Sequence, residues 1–236
     1  MKYISLDFEY RSTNQAKLEL VCGALEVGDV EGNPGKETIT ASEPKIFWLH
    51  KNKNTQEILK EYLLMIRDTH VLLAFNVDAE GRSLISLGLY PTKFMWVDIQ
   101  AEWKMLTNHN DSLGYGTQLI NGEPVKLYKS TYGGKTPLSL LACTSKLLRP
   151  VSSQEYTEKN KMRDLILGTT QFNDIEKGKI SNYCVGDIQD LAPLYLAQLK
   201  HYYRLLNKTQ FRQLHKEQLW RGETVARAAL ISSIGY

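Results

Sequence analysis

Cysteine is scarce in this 236-residue chain: Cys22, Cys143 and Cys184 are odd in number and far apart. They lack metal-ligand spacing, which excludes a disulfide framework and a cysteine-based zinc site. They read as core residues of a reducing compartment. Long apolar runs are also missing, and none approaches the ~20 residues of a membrane span. No basic-then-apolar leader opens the chain, because Asp7 interrupts the only candidate stretch. A cytoplasmic chain with no membrane partner is the expectation. An excess of one sign of charge is nearly absent too: the net charge of +3 is too small to argue for nucleic acid by itself. Neither internal repeats nor low-complexity tracts occur. What remains is an ordinary globular composition, long enough to bury a sizeable core. It fits one large α/β domain, or one domain plus an appendage.

The most informative stretch is the first ten residues. Ile4, Leu6 and Phe8 alternate with Ser5, Asp7 and Glu9, the period of a β-strand with one buried face. Asp7 and Glu9 leave the same face with Cα atoms roughly 7 Å apart. Two such carboxylates repel, and a divalent cation between them removes that cost. An Asp-x-Glu triplet also arises by chance about once in a chain of this size, usually on a solvated edge. Support for a metal site has to come from elsewhere.

Residues 18–27 read as a second strand. Gly28, Gly32, Asn33, Pro34 and Gly35 then supply turn chemistry, and Ile46–Leu49 is a third strand. Thr55 is an expected helix N-cap, with Ile58, Leu59, Tyr62, Leu63 and Ile66 at helical spacing. Strands at 71–76 and 94–98 alternate with helices at 80–87 and 99–106. The class is therefore α/β, a mixed sheet with helices packed on it. Residues 107–135 read as an insertion or hairpin. Thr136-Pro137 predicts a helix start, and 151–163 is polar and expected to be exposed. Residues 172–203 are helical in pattern, kinked or restarted by Pro193. Lys200, Arg204, Lys208, Arg212 and Lys216 are each four apart, a cationic stripe on one helix. Such a stripe is either a solvated face or a contact for phosphates.

Two more places carry acids at informative spacing. Asn76, Asp78 and Glu80 follow a strand and open a helix, at the sheet edge where α/β folds hold ligands. Asp78 also suits a helix cap, and Glu80 a helix first turn. Tyr183 and Asp187, at i and i+4, share one helix face and bring a phenol beside a carboxylate.

Taken in order, D-x-E on a first strand, N-x-x-x-E at a strand–helix junction and Y-x-x-x-D on a late helix resemble a known family. The chain resembles the DEDD-class 3′→5′ proofreading exonucleases of the Tyr subclass. The likeness is closer to the exonuclease domain of phage-like family A DNA polymerases. "ISLDFE", "AFNVDAEGRSL" and "YCVGDIQDLAPLY" carry it, and "TPLSLLACTSKLL" and "KNKMRDLIL" fall where such proteins have a Leu-rich helix and a Lys-rich lid-like segment. Residues 220–236 resemble the opening of a polymerase region.

The resemblance implies an RNase H-like fold, a mixed five-stranded sheet flanked by helices. It implies an exonuclease domain over 1–215 and a connecting helix over 216–236 that starts a truncated polymerase region. Two Mg²⁺ or Mn²⁺ ions are implied, held by Asp7, Glu9, Glu80 and Asp187, with Asp7 bridging. Tyr183 is implied to orient the attacking water, and Asn76 and Tyr10 to contact substrate. The implied substrate is DNA with a free 3′ end, single-stranded or frayed, in a bacterial or phage-infected cytoplasm, with a polymerase domain in cis. Departures from the family pattern are Glu80 where Asp is commoner, with Asp78 as its rival, and Ala79, Phe75 and Tyr10 in place of other frequent residues. They keep open a nuclease-inactive nucleic-acid-binding module. An RNA-trimming enzyme of the same class shares all the catalytic residues.

Overall fold

The computed structural model describes residues 1–14, 17–33, 35–108, 117–120, 123–126 and 138–234. Its centre is a mixed sheet of six strands. These are β1 (Lys2–Asn14), β2 (Lys17–Glu31), β3 (Thr38–Ala41), β4 (Lys45–Trp48), β5 (Val71–Ala74) and β6 (Met95–Asp98). The order is β3-β2-β1-β5-β6, with β4 also paired to β2. β1 runs antiparallel to β2 and parallel to β5, and β6 is parallel to β5. The sixth strand, β3, falls in the segment that reads as polar turn. It is a short edge strand with only Ile39 partly covered, so its sequence carries almost no burial signal.

Helices cover both faces of the sheet. Ile4, Leu6 and Phe8 of β1 enter one core layer with Leu59 and Leu63 of α1 (Lys53–Ile66) and Val77 and Leu84 of α2 (Val77–Ser86). Tyr3, on the opposite face, packs in a second layer with α3 (Ile99–Asn108), α4 (Leu140–Leu147), α5 (Ser153–Gly168), α6 (Asp174–Gln189) and α7 (Leu191–Leu205). The expectation that β1 buries one face is thus corrected. It is a central strand, and even Ser5 is fully buried.

Several element boundaries also differ from expectation. Asn52, not Thr55, caps α1, its side chain accepting from the Thr55 N–H at 3.1 Å. The helix after β5 begins at Val77 behind Asn76 as N-cap, so Asp78 is not the cap. Ser139 caps α4, which begins at Leu140; Thr136 and Pro137 lie outside the described residues. The polar stretch 151–163 is largely exposed, as expected, and residues 153–168 form a helix there, opened by a Ser152–Glu155 capping box. Within the insertion, Thr117–Ile120 (β7) and Glu123–Lys126 (β8) pair antiparallel, as a hairpin requires. Its other residues from 109 to 137 lie outside the described ones.

The long helical stretch restarts at Asp190, with Pro193 in the first turn of α7. A second break follows at Leu206–Asn207, before α8 (Lys208–Ile234). Asn207 and Gln210 exchange side-chain-to-backbone hydrogen bonds of 3.0 and 3.1 Å and close the new helix start. The cationic stripe therefore spans two helices, not one. α8 runs unbroken across position 216. Its Gly222 lies so close to the β6 backbone that a Cβ would sit 2.3 Å from the Trp96 carbonyl oxygen. Buried Ala226 and Ala229 continue that contact, Ala229 against Gly81 of α2.

Candidate metal centre and cleft

Asp7 and Glu9 stand on the polar face of β1, and a register shift follows directly after Glu9. Such a bulge bends the strand and re-aims the side chains next to it. α6 lies across this face. Its buried edge is Ile180, Cys184 and Ile188, and Tyr183 and Asp187 flank that edge one turn apart. Asp7, Glu9 and Asp187 each offer a carboxylate oxygen, and these oxygens lie within 4.8 Å of one another.

Glu80 comes from the first turns of α2. Asp98, at the end of β6, fixes that start by accepting hydrogen bonds from the Val77 and Ala101 N–H groups at 3.2 and 2.9 Å. Glu80 is 5 % exposed. It accepts a hydrogen bond from the Phe8 N–H and feels the charges of Asp7 and Glu9. Its Oε2 is buried without a hydrogen-bond partner. Glu80 stands beside the three-oxygen cluster without belonging to it. Asp78 points elsewhere, to Arg82 at 3.1 Å on the helix surface.

Crowding of acids sets the electrostatics. The Asp7 carboxyl is pushed up to about 7, first by burial and then by Asp187, against the pull of Lys159 and Cys184. Glu9 and Glu80 are raised well above the carboxylate range, again by burial first and then by their acidic neighbours. Burial and Asp187 raise the Tyr183 phenol, and burial and Glu80 raise Tyr10. Among the described residues, Lys159 is the cation that answers Asp7, Glu9 and Asp187: its ammonium lies 2.7 Å from Asp187 Oδ2 and 5.4 Å from the centre of the Tyr183 ring.

A cleft of about 580 Å³ opens beside the acids. Its lining includes Glu9, Tyr10, Asn76 and Tyr183 together with Lys159 and Arg163 of α5. Although Asn76 is the N-cap of α2, its side chain makes no capping bond. Of the seven residues singled out by sequence, Glu9, Tyr10, Asn76 and Tyr183 line the cleft, Asp7 and Asp187 cluster with Glu9, and Glu80 feels the charges of Asp7 and Glu9; Asp78 stands apart.

Lys159 opens the KNKMRDLIL segment already likened to a Lys-rich lid, though with no site role of its own, and Ser152-x-x-Glu155 was a readable start for its helix. One contributor escaped the sequence altogether. Cys184, read as a plain core residue, points its thiol at Asp7 Oδ2, 3.4 Å away. No sequence signal distinguishes such a thiol from core cysteine. No protein-family model matches the chain, and no curated protein matches it either.

Proposed function

We propose that this protein is a 3′→5′ exonuclease that removes nucleotides from DNA 3′ ends by metal-dependent phosphodiester hydrolysis. The observation that carries the reading is the cluster of Asp7, Glu9 and Asp187 oxygens within 4.8 Å, with Glu80 and Tyr183 at its side. The antiparallel β1–β2–β3 ribbon followed by parallel β5 and β6 supports the RNase H-like version of the α/β fold.

The donor set fits hard divalent cations. It is all oxygen, crowded and short of internal counter-charge, and Glu80 Oε2 lacks any partner. Asp7, Glu9, Asp187 and Glu80 would hold two Mg²⁺ or Mn²⁺ ions. Bound there, such ions neutralise the carboxylates and stabilise charge on the phosphoryl oxygens. The chain's own groups do the rest. Tyr183, its proton held by burial and by Asp187, stays neutral and orients water by hydrogen bonding. Asn76, free of capping duty, and Tyr10 face the terminal nucleotides. Lys159 and Arg163, which also line the cleft, give it positive charge for the phosphate backbone. A polymerase region in cis completes the proofreading reading and rests on the resemblance of residues 220–236.

The test is cleavage of a 5′-labelled single-stranded DNA with Mn²⁺ or Mg²⁺ and with chelator. Stepwise shortening from the 3′ end, release of nucleoside 5′-monophosphates and loss of at least about a thousandfold in Asp7→Ala are expected. Full activity of Asp7→Ala overturns the assignment. Binding without cleavage at saturating Mn²⁺ marks an inactive nucleic-acid-binding module, and faster trimming of RNA than DNA marks the RNA enzyme.

A further inference from the structure

The break between α7 and α8 builds a second cleft, about 560 Å³ in volume, which shares no lining residue with the acidic one. By closing α7 at Leu206 and restarting the chain at Asn207, the break brings Tyr203 and Phe211 together. Their rings meet edge to face at 5.4 Å. Tyr203 is also seated against Gly35, where a Cβ would stand 2.8 Å from its ring. Tyr203 is held on two sides and is still 47 % exposed.

Lys208 and Arg212, one turn apart on α8, line the same cleft, as do the amides Asn33 and Asn207. Neither cation is ion-paired to a carboxylate among the described residues, in contrast to Lys159, Arg82 and Arg221. No acid is among the lining residues. The cleft thus joins a held, partly exposed tyrosine to two cations without a carboxylate partner among the described residues and to amide groups, in a volume within the ~300–1,000 Å³ of ligand sites. Aromatic stacking beside a cationic track is the chemistry that holds single-stranded nucleic acid without regard to sequence. An acidic peptide would use the cations but not the ring face.

We propose that this cleft binds a nucleotide unit of single-stranded nucleic acid: a base on Tyr203, flanking phosphates on Lys208 and Arg212. It is a holding site away from the acidic cleft. The inference rests on the nucleic-acid reading of the protein but not on cleavage.

The experiment is fluorescence anisotropy of a labelled oligothymidylate with the full chain in chelator, where hydrolysis is silent. Lys208→Gln/Arg212→Gln should flatten the slope of log affinity against log salt by about 1.4, the share of two phosphates on a single strand. Tyr203→Ala should weaken binding about fivefold or more, whereas Tyr203→Phe, which keeps the ring, should bind as the parent does. Hydrolysis of a dinucleotide with Mn²⁺ should be unchanged in all three variants, because the two clefts share no lining residue. Thermal unfolding of each variant confirms that it is folded. An unaltered salt slope, equal losses in Tyr203→Ala and Tyr203→Phe, or no oligothymidylate binding by the parent overturns the site. So does equal competition by polyglutamate. Absent dinucleotide cleavage with intact, Tyr203-dependent binding sinks the exonuclease reading and leaves this site standing.

Discussion

The protein buries carboxylates in two regions and treats them in opposite ways. Glu102, on α3, is fully buried, and the chain answers it completely. Arg221 of α8 reaches it through two nitrogens at 2.7 and 2.8 Å, and the Tyr202 hydroxyl and Gln218 amide donate at 2.9 and 3.2 Å. The acidic cleft has at least four carboxylates and one nearby ammonium, and Glu80 Oε2 has no partner. A carboxylate answered from within ties helices together. Carboxylates left unanswered hold destabilisation in reserve, which an external cation would relieve. That contrast, more than acidity alone, separates a candidate metal centre from a buried structural ion pair.

The strongest way to break the comparison is to mutate each region and watch stability. Glu102→Ala leaves Arg221 without its main partner and should cost about 3 kcal/mol, lowering Tm by about 6–12 °C. Asp7→Asn should do the reverse in chelator and raise Tm, because it removes a charge that burial and Asp187 oppose. Differential scanning calorimetry of both variants decides. A large Tm loss in chelated Asp7→Asn would make the two regions alike.

Metal and pH sharpen the same contrast. The Asp7 carboxyl moves from an ordinary 3.8 up to about 7, and Glu9 and Glu80 shift in the same direction. An acid with a raised folded value favours its proton in the folded state. Its contribution to stability is full below about 4 and is lost as pH rises through about 7. Chelated protein should therefore be less stable at pH 8 than at pH 5. Mn²⁺ at about a hundred times its dissociation constant should restore about 2.7 kcal/mol, or some 5–11 °C, at pH 8. The gain should be smaller at pH 5, where protons compete for the same oxygens. Equal Mn²⁺ gains at both pH values would contradict the shifts.

Much of this was legible in the sequence, and the reasons for the rest are physical. Alternation revealed β1, and fixed spacing put Asp7 with Glu9 and Tyr183 with Asp187, because strand and helix periods are local. That β1 is covered on both faces was not legible. Its second face, with Ser5 and two acids, looks solvated until α6 arrives from some 170 residues away. Helix α5 has a polar sequence with one buried residue, Ile166, so periodicity could not find it. The break at Asn207 hid behind five cations at perfect four-residue spacing, although Asn207 and Gln210 carried capping-box chemistry. The sixth strand hid because an edge strand buries too little to leave a pattern.

Lys159 tests whether the acidic region has a permanent partner, as Glu102 has in Arg221. Its ammonium holds Asp187 in a partly exposed pair, worth about 1 kcal/mol. Lys159→Met should lower the chelated Tm by about 2–4 °C at pH 8. The Tm difference should shrink at saturating Mn²⁺, and the apparent Mn²⁺ affinity should rise about fivefold by linkage, because the competing cation is gone. A calorimetric titration with Mn²⁺ reads both quantities. Equal Tm losses with and without metal would make Lys159 a fixed structural partner.

The smallest expected effect belongs to Asp78, two residues from Glu80 on the same helix turn. With Asn76 as N-cap, Glu80 faces Phe8 and the acids of β1, while Asp78 faces water and Arg82. An exposed i,i+4 pair is worth about 0.3–0.5 kcal/mol, so Asp78→Asn should shift Tm by no more than about 2 °C and leave cleavage within about twofold. Glu80→Gln removes a buried carboxyl group beside Asp7 and Glu9 and should slow cleavage by about ten- to a hundredfold while raising the chelated Tm at pH 8. Side-by-side rates on the labelled single strand separate the two. If Asp78→Asn is the slower variant, the cleft takes its fourth carboxylate from the outer face of α2, and the burial of Glu80 is structural, like that of Glu102.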